Sequence, residues 1–399
     1  MQVIILLASL SALSAAAVDM YLPAFPTVAL SLNISPGQVQ QTLTVYLIGL
    51  GIGQGLYGPL LDRFGRKPPL LVGLALFALG SITAALTISF YGLLIARFFQ
   101  AIGAAAGLVA ARAIVTDTCD THNSARIYSM LTQMMMIAPI SAPTVGSLIL
   151  IYGDWRLIFW VLTLLSIICW GCTVSILTET LMAESRVALS MRNIMHNYAV
   201  QIYNPSFLLY ALASGFTFGG LFIYVTTSPF IFISIFGLTP TQFGYIFALN
   251  AIAMILIGQL NLRLLNFYSA IKLLYFGLFC FISIGILLLI LVNLNGLANL
   301  FIYWLLLGLG LAMLGLITGN ITAVTMAHTQ KHAGTTSALM GLIQFLLAAV
   351  VGFIFSFTEI SLNTLPAALI MLGTIALILC VFAQKYTFKA SNKNEFSTN

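Results

Sequence analysis

Two ionisable residues, Asp19 and Arg97, lie deep within long apolar runs of this 399-residue chain, and they are the first candidates for chemistry. An ionisable side chain inside a bilayer costs about 2.5–3.5 kcal/mol even on lenient insertion scales, so it is kept for a function or for a partner. Burial and a nearby cation act on a carboxylate's proton affinity in opposite senses. That opposition can place Asp19 where it loads and unloads protons, with Arg97 as a fixed positive charge in a water-filled central cavity. Each residue also has a plainer reading. Asp19 stands about 16 residues into its run, roughly 24 Å at 1.5 Å per residue, which could put it at the outer membrane interface. Arg97 could snorkel from the outer end of its helix.

Other polar side chains fall inside apolar runs: Tyr21, Tyr46, Gln54, Gln133, Tyr224, Asn250, Asn320 and Gln344. They could line a cavity, although each taken singly is more simply a helix–helix hydrogen-bonding group. Met134-Met135-Met136 adds a surface able to repack around varied shapes, which suits amphiphilic substrates. A charged loop reads Gly58, Asp62, Arg63, Gly65, Arg66, Lys67. Its glycines permit a tight turn and close helix approach. Asp62 could pair with Arg112, or sit at the positive N-terminus of a later helix near Gly334. Either contact would latch two halves of the molecule; the alternative is a solvated loop that only sets topology. A further stretch carries Pro139, Pro143 and Gly146. Prolines four apart free backbone groups on one face and kink a helix, and small residues beside them allow close packing.

Other chemistries find no support. The histidines are His122, His196, His328 and His332, all assigned to loops; His328-x3-His332 has i, i+4 spacing but no acid or thiol nearby in sequence to complete a metal site, so no metal is expected. Cys169-Trp-Gly-Cys172 has redox-motif spacing but lies in an apolar run, where free Cys behaves as a small hydrophobe. No G-x4-G-K-[ST] loop is present, so ATP does not drive work from this chain and no enzyme is expected. The net charge of +6 is dispersed, with no basic aromatic cluster suited to nucleic acid.

The elements that must hold these residues are helices in a membrane. The chain is 61% hydrophobic and only 6% charged, against about 25% charged for a soluble domain. Such a chain can cross a bilayer only as helices or a closed barrel. Its runs are long and continuous, near the roughly 20 residues a spanning helix needs, rather than alternating. Twelve spans are expected, at 3–27, 39–60, 69–88, 90–112, 127–150, 157–178, 206–235, 242–262, 270–292, 299–322, 334–357 and 364–384. Met1 to Val18 is apolar and rich in Ala and Ser, but no Lys or Arg precedes Arg63, so it reads as the first span rather than a signal peptide. With the N-terminus in the cytoplasm, 13 of the 15 basic residues fall in cytoplasmic loops or the tail, with Arg156 outside and Arg97 within a helix. This supports an even span count with both termini cytoplasmic.

The longest polar connection runs from Glu179 to Asn204. It divides an N-terminal six-helix bundle (1–178) from a C-terminal one (205–384), with 179–204 as a cytoplasmic linker and 385–399 as a cytoplasmic tail. A faint repeat relates Gly58-Pro-Leu-Leu-Asp62-Arg63 to Gly258-Gln-Leu-Asn-Leu262-Arg263. Parallel repeats of this kind place a transporter's substrate site between the halves.

Together these features resemble the major facilitator superfamily, and within it the proton-coupled drug exporters of the bicyclomycin/chloramphenicol resistance (Bcr/CflA) family. Asp19-Met-Tyr-Leu-Pro-Ala-Phe-Pro26 resembles that family's span-one signature, and Gly58 to Lys67 the superfamily's loop motif. Arg97-Phe-Phe-Gln100 resembles the span-four motif, with Ala101 where Gly is usual. Ala138 to Ser147, with Pro139, Pro143 and Gly146, resembles the antiporter motif of span five, with Ala142 and Ser147 where Gly is usual. Ser228-Pro-Phe230 and Phe247-Ala-Leu-Asn250 resemble second-half features. A relative in the superfamily carries a second acid in span one; eight positions before Asp19 this chain has Ser11.

The resemblance implies an all-α major facilitator fold around a central cavity and a monomer in a bacterial inner membrane. It implies exchange of a cytoplasmic compound for an incoming proton, with no cofactor beyond the proton gradient. Asp19 would be the proton and substrate carboxylate, Arg97 its partner in coupling, and Asp62, Arg63 and Arg112 gate residues. The alternatives are a metabolite or siderophore transporter, possibly importing, on the same scaffold, and a non-transporting receptor or scaffold. Fold alone does not choose among them.

Overall fold

The computed structural model describes residues 2–118, 121–182, 199–295, 299–327 and 333–396. Every regular element among them is helical. Eleven stretches are long and apolar enough to cross a membrane, and Ile137–Tyr152 adds a shorter apolar helix where a twelfth span is expected. Clustering of the chain gives two compact units. The first holds Met1–Leu189, Ser228–Ala251 and Phe353–Thr358; the second holds Ser190–Thr227, Ile252–Gly352 and Glu359–Asn399.

In the first unit the opening span, Ile5–Leu32, is broken. Helix α1 (Gln2–Asp19) stops at Asp19, a 3-10 turn follows over Leu22–Ala24, and α2 (Phe25–Leu32) completes the crossing. Pro23 and Pro26 supply no backbone N–H, so a continuous ladder is not available here. Asn33 closes α2 in the left-handed conformation at φ 52°. Helix α3 (Pro36–Phe64) starts with a capping box, in which Ser35 and Gln38 satisfy each other's backbone N–H groups. It is followed by α4 (Lys67–Leu86), α5 (Phe90–Thr118), α6 (Thr121–Tyr152) and α7 (Arg156–Ile176).

Small residues let α5 sit close to its neighbours, the usual device where lipid offers no hydrophobic drive for helix pairing. A Cβ on Gly80 of α4 would lie 2.6 Å from the backbone nitrogen of Gln100, and one on Gly49 of α3 2.6 Å from the carbonyl oxygen of Phe98. The helix carrying Arg97 is therefore clamped on two sides by backbone.

Helix α8 (Pro205–Pro229) contributes Ser228 onward to the first unit and runs into a π-helical turn over Phe230–Ile235. Helix α9 (Pro240–Leu264) contributes its first part, where Gly244 lies against the backbone of Pro143 and Thr144.

The second unit takes the rest of α8 and α9, with α10 (Ala270–Asn295), α11 (Leu300–Ala312), α12 (Leu314–Ala327), most of α13 (Ala333–Phe355) and α14 (Thr364–Phe396). A turn at Met313 splits one span, Leu300–Ala327, into α11 and α12. Phe207 and Ala211 of α8 pack on Leu339 and Met340 of α13.

Three expectations change at helix ends. Helix α3 runs to Phe64 rather than 60, which takes Gly58, Asp62 and Arg63 out of the expected loop and into the helix. The opening span runs to Leu32 rather than 27, so Asp19 stands near the middle of a 28-residue crossing and not at its outer end. Helix α5 runs to Thr118 rather than 112, which adds Asp117 to its last turn.

Candidate functional site

Asp19 is the last residue of α1 and is buried, at 7% relative exposure. A helix end leaves its final carbonyls without intrahelical partners, and inside a membrane no bulk water is at hand to satisfy them. The Met20 N–H reaches back to the Ala16 carbonyl at 3.0 Å. The next carbonyl, that of Ala17, accepts from Nη1 of Arg97 at 3.0 Å. A cation at a helix C-terminus also suits the negative end of the helix dipole.

Arg97 itself is fully buried, so it does not snorkel. Its guanidinium carbon lies 4.3 Å from the ring centre of Tyr46, 5.1 Å from Tyr21 and 5.7 Å from Phe159. Three aromatic faces stabilise a cation that has lost its water. Nη1 also donates to Oε1 of Gln100, whose Nε2 donates to Ser81 at 2.8 Å, and the Ser81 hydroxyl donates in turn to the Phe77 carbonyl. This chain of bonds anchors the guanidinium to α4 through α5. Nε and Nη2 of Arg97 are buried without an acceptor. Asp19 and Arg97 form no ion pair within 4.0 Å, where the sequence suggests coupled partners. The carboxylate sits at the break, and the cation sits in an aromatic box beside it.

Tyr46 and Tyr21 are held in turn. The Tyr46 hydroxyl donates to the Ser14 carbonyl at 3.2 Å, and Thr42 reaches the Tyr21 hydroxyl at 3.5 Å. The box is thus built from α1, the 3-10 entry, α3, α5 and α7, all within the first unit.

A second charged cluster lies at the α3–α4 connection. Arg66 binds Asp117 through two bonds, Nε to Oδ2 at 2.7 Å and Nη2 to Oδ1 at 3.1 Å, and binds Asp62 through Nη1 at 2.6 Å. The Asp62 side chain is 56% exposed and that of Asp117 only 15%. An exposed i,i+4 pair is worth about 0.3–0.5 kcal/mol, whereas a part-buried, two-bonded contact between charged groups is worth about 1.5–3 kcal/mol. The strong partner of Arg66 is therefore Asp117. The pairing the structure gives Asp62 is with Arg66, one turn along, and not the Arg112 contact expected from spacing. The Asp117 bond, against burial, holds the Arg66 guanidinium above its ordinary pKa.

Glu179 completes this cluster. It accepts backbone N–H bonds from Arg66 at 2.8 Å and Lys67 at 3.2 Å, and so caps the start of α4. Gly65 has φ +92°, and a Cβ there would run into the Glu179 carboxylate. Burial pushes the Glu179 carboxyl up, but the N–H donors of Arg66, Leu181, Lys67 and Thr180 outweigh it and hold the carboxyl below the usual range. Lys67 donates to the Val174 carbonyl at 2.8 Å, near the end of α7. Arg63 and Arg112 are exposed, and Gly58 faces open space.

The match to known families decides what this architecture is. The family model described as Major Facilitator Superfamily matches residues 7–353. The chain belongs to the major facilitator superfamily. It is 31% identical over 378 residues to a bicyclomycin resistance protein homolog of Haemophilus influenzae, covering 94% of this chain and 93% of that protein. It is 29% identical to the multidrug resistance protein MdtL of a Shewanella species, over 92% of this chain and 91% of that one. In fold it is similar to a peptide transporter bound to sulfate, with a TM-score of 0.77 at 14% identity, covering 96% of this chain and 94% of the other. This chain is accordingly a multi-pass membrane transporter and not an enzyme.

Within this major facilitator protein the other sequence candidates scatter. Gln54 is half-buried on α3, and Asn250 is buried in the part of α9 that joins the first unit. Tyr224, Asn320 and Gln344 belong to the second unit. There Asn320 donates to Asn261 at 2.8 Å and to the Leu316 carbonyl, and Gln344 donates to Ser214, so both serve helix pairing. Tyr224 is buried. The side chains of Gln133, of Met134 to Met136 and of the four histidines lie outside the described residues. Among the described residues no group of side chains could hold a metal. Pro139, Pro143 and Gly146 all lie on α6, with Pro143 and Gly146 buried.

Sequence reasoning missed four supporting residues of the transporter: Ser81, Phe159, Asp117 and Glu179. The last two carried a readable signal. The chain has only nine acids, and these two stand where spans four and six give way to polar sequence. Ser81 and Phe159 carry none, since Ser and Phe are ordinary residues of a spanning helix.

Proposed function

We propose that this chain is a proton-coupled exporter of drugs or other small amphiphilic compounds, working by alternating access in a bacterial inner membrane. One observation carries the reading. A buried carboxylate, Asp19, ends a helix in mid-span without an ion-pair partner, beside a guanidinium fixed by aromatic rings. Broken helices at mid-membrane are where transporters bind substrates and coupling ions. A carboxylate there can take a proton in one state and release it in another, and no cofactor is needed.

The reading takes its substrate class from the relatives named for bicyclomycin and multidrug resistance. The chain would work as a monomer of two six-helix halves, 1–178 and 205–384, with both termini cytoplasmic. Asp62, Arg63, Arg66, Lys67 and Arg112 would then form a cytoplasmic gate, with Gly65 easing the turn and Gly58 inside the last turns of α3. Tyr21, Tyr46, Gln54 and Asn250 of the first unit would be cavity residues.

The test is accumulation of a panel of antibiotics, dyes and metabolites in efflux-deficient bacteria producing the protein, with and without a protonophore. Lower accumulation of at least one antibiotic or dye that the protonophore abolishes supports export. Raised uptake of a metabolite, or no change with abundant folded protein, contradicts it.

A further inference from the structure

The break at Asp19 is shaped by α6 as well as by Arg97. A Cβ on Gly146 would overlap the carbonyl oxygen of Met20, with the Met20 carbonyl carbon at 2.8 Å and Cα at 2.9 Å. These are backbone atoms, so no side-chain rotation relieves the overlap. Met20 is the residue after Asp19, and its N–H bond to Ala16 is the last that α1 makes. The α6 backbone is set for this approach from within. Pro139 and Pro143 precede Gly146 on the same helix, and Ser147, buried, donates to the Thr144 carbonyl at 2.8 Å. On another side, Gly244 of α9 lies against Pro143 and Thr144.

We infer that Gly146 is a positioning residue for Asp19, admitting α6 against the Met20 carbonyl and so fixing the place of the carboxylate relative to Tyr46 and Arg97. The stretch around Pro139, Pro143 and Gly146 is then more than a packing seam. It is a wall of the proton site, and through Gly244 it is braced by the start of α9. Of the ionisable groups on the elements around Asp19, Tyr21 on its own span, Tyr46 from α3 and Arg97 from α5 meet at this site, and the one described on α6, Tyr152, is exposed at the far end of that helix. None of those at the site belongs to the described side chains of α6, so Gly146 acts through geometry alone. The inference rests on the coupling role proposed for Asp19.

The experiment is labelling of Asp19 by a hydrophobic carbodiimide across a pH series, in the full-length protein in membranes, with Asp19→Asn as background. Gly146→Ala is compared with Gly171→Ala, since a Cβ on Gly171 meets nothing within 4 Å. The labelling midpoint is expected to move by roughly half a pH unit or more in Gly146→Ala, and to stay in place in Gly171→Ala. Where Gly146→Ala does not fold, Ser147→Ala removes the bond to Thr144 and is expected to move the midpoint less. The wild-type midpoint in folded Gly146→Ala, or in Ser147→Ala where it stands in, overturns the inference. Absence of Asp19-dependent labelling in the wild type would instead remove the coupling role itself.

Discussion

Arg66 grips Asp117 along its Nε–Nη2 edge, at 2.7 and 3.1 Å, while the same edge of Arg97 is buried in the same unit with no acceptor. The two guanidiniums are put to different uses. Arg66 spends its fork on a carboxylate and locks helix ends together. Arg97 uses only Nη1 to hold itself, to Ala17 and Gln100, and its Ala17 bond lies two residues before the buried acid Asp19 in sequence. A bidentate pair is a strong structural tie; an unspent edge beside a lone carboxylate suits a site that changes partners.

The Arg66–Asp117 pair sets the first prediction. Asp117→Asn should lower stability in detergent by about 1.5–3 kcal/mol, and Asp62→Asn by about 0.5 kcal/mol or less. Thermal unfolding of both variants checks the order. Equal losses would mean that burial does not separate the two contacts.

Glu179 carries a pH signature. Its carboxyl is held low in the folded protein, so its contribution is full above its unfolded value near 4.5 and fades as pH falls through the lower folded value. The melting-temperature gap between wild type and Glu179→Gln should therefore be present at neutral pH and close in acid. A gap that does not change with pH would contradict the capping account.

The aromatic box predicts a graded series at Tyr46. Tyr46→Phe keeps the ring 4.3 Å from Arg97 and loses only the Ser14 bond. Tyr46→Leu loses the ring. A cation–π contact is worth about 0.5–2 kcal/mol, so transport should fall roughly 2- to 30-fold further in the leucine variant. Initial rates in proteoliposomes measure the difference.

In the second unit, Asn261 and Asn320 should be coupled by about 0.6 kcal/mol, and by no more than about 1.7 kcal/mol, the range for hydrogen bonds between membrane helices. A double-mutant cycle with alanine, read by unfolding in detergent, tests this.

Much of the architecture was legible because apolar runs of about 20 residues admit few folds, and the spans fall near their expected places. Asp19 and Arg97 were legible as candidates for the same reason, since an acid and a cation stand out against lipid-facing sequence. Their relation was not. Nothing in the spacing says that Arg97 would lie among Tyr21, Tyr46 and Phe159 rather than on Asp19, because rings from three helices meet only in the fold. Asp117 was hidden by a helix end placed six residues short. The role of Gly146 was out of reach, since a close backbone approach leaves only a glycine in the sequence, and glycines are common in spanning helices.

Substrate-induced proton release in inverted membrane vesicles tests the central claim most directly. Energised vesicles carrying wild type or Asp19→Asn would meet the same panel of antibiotics, dyes and small metabolites while internal pH is read. The account predicts that at least one amphiphilic compound collapses the gradient in wild type and that none does in Asp19→Asn. Equal proton release from both proteins, at equal folded abundance, would contradict it.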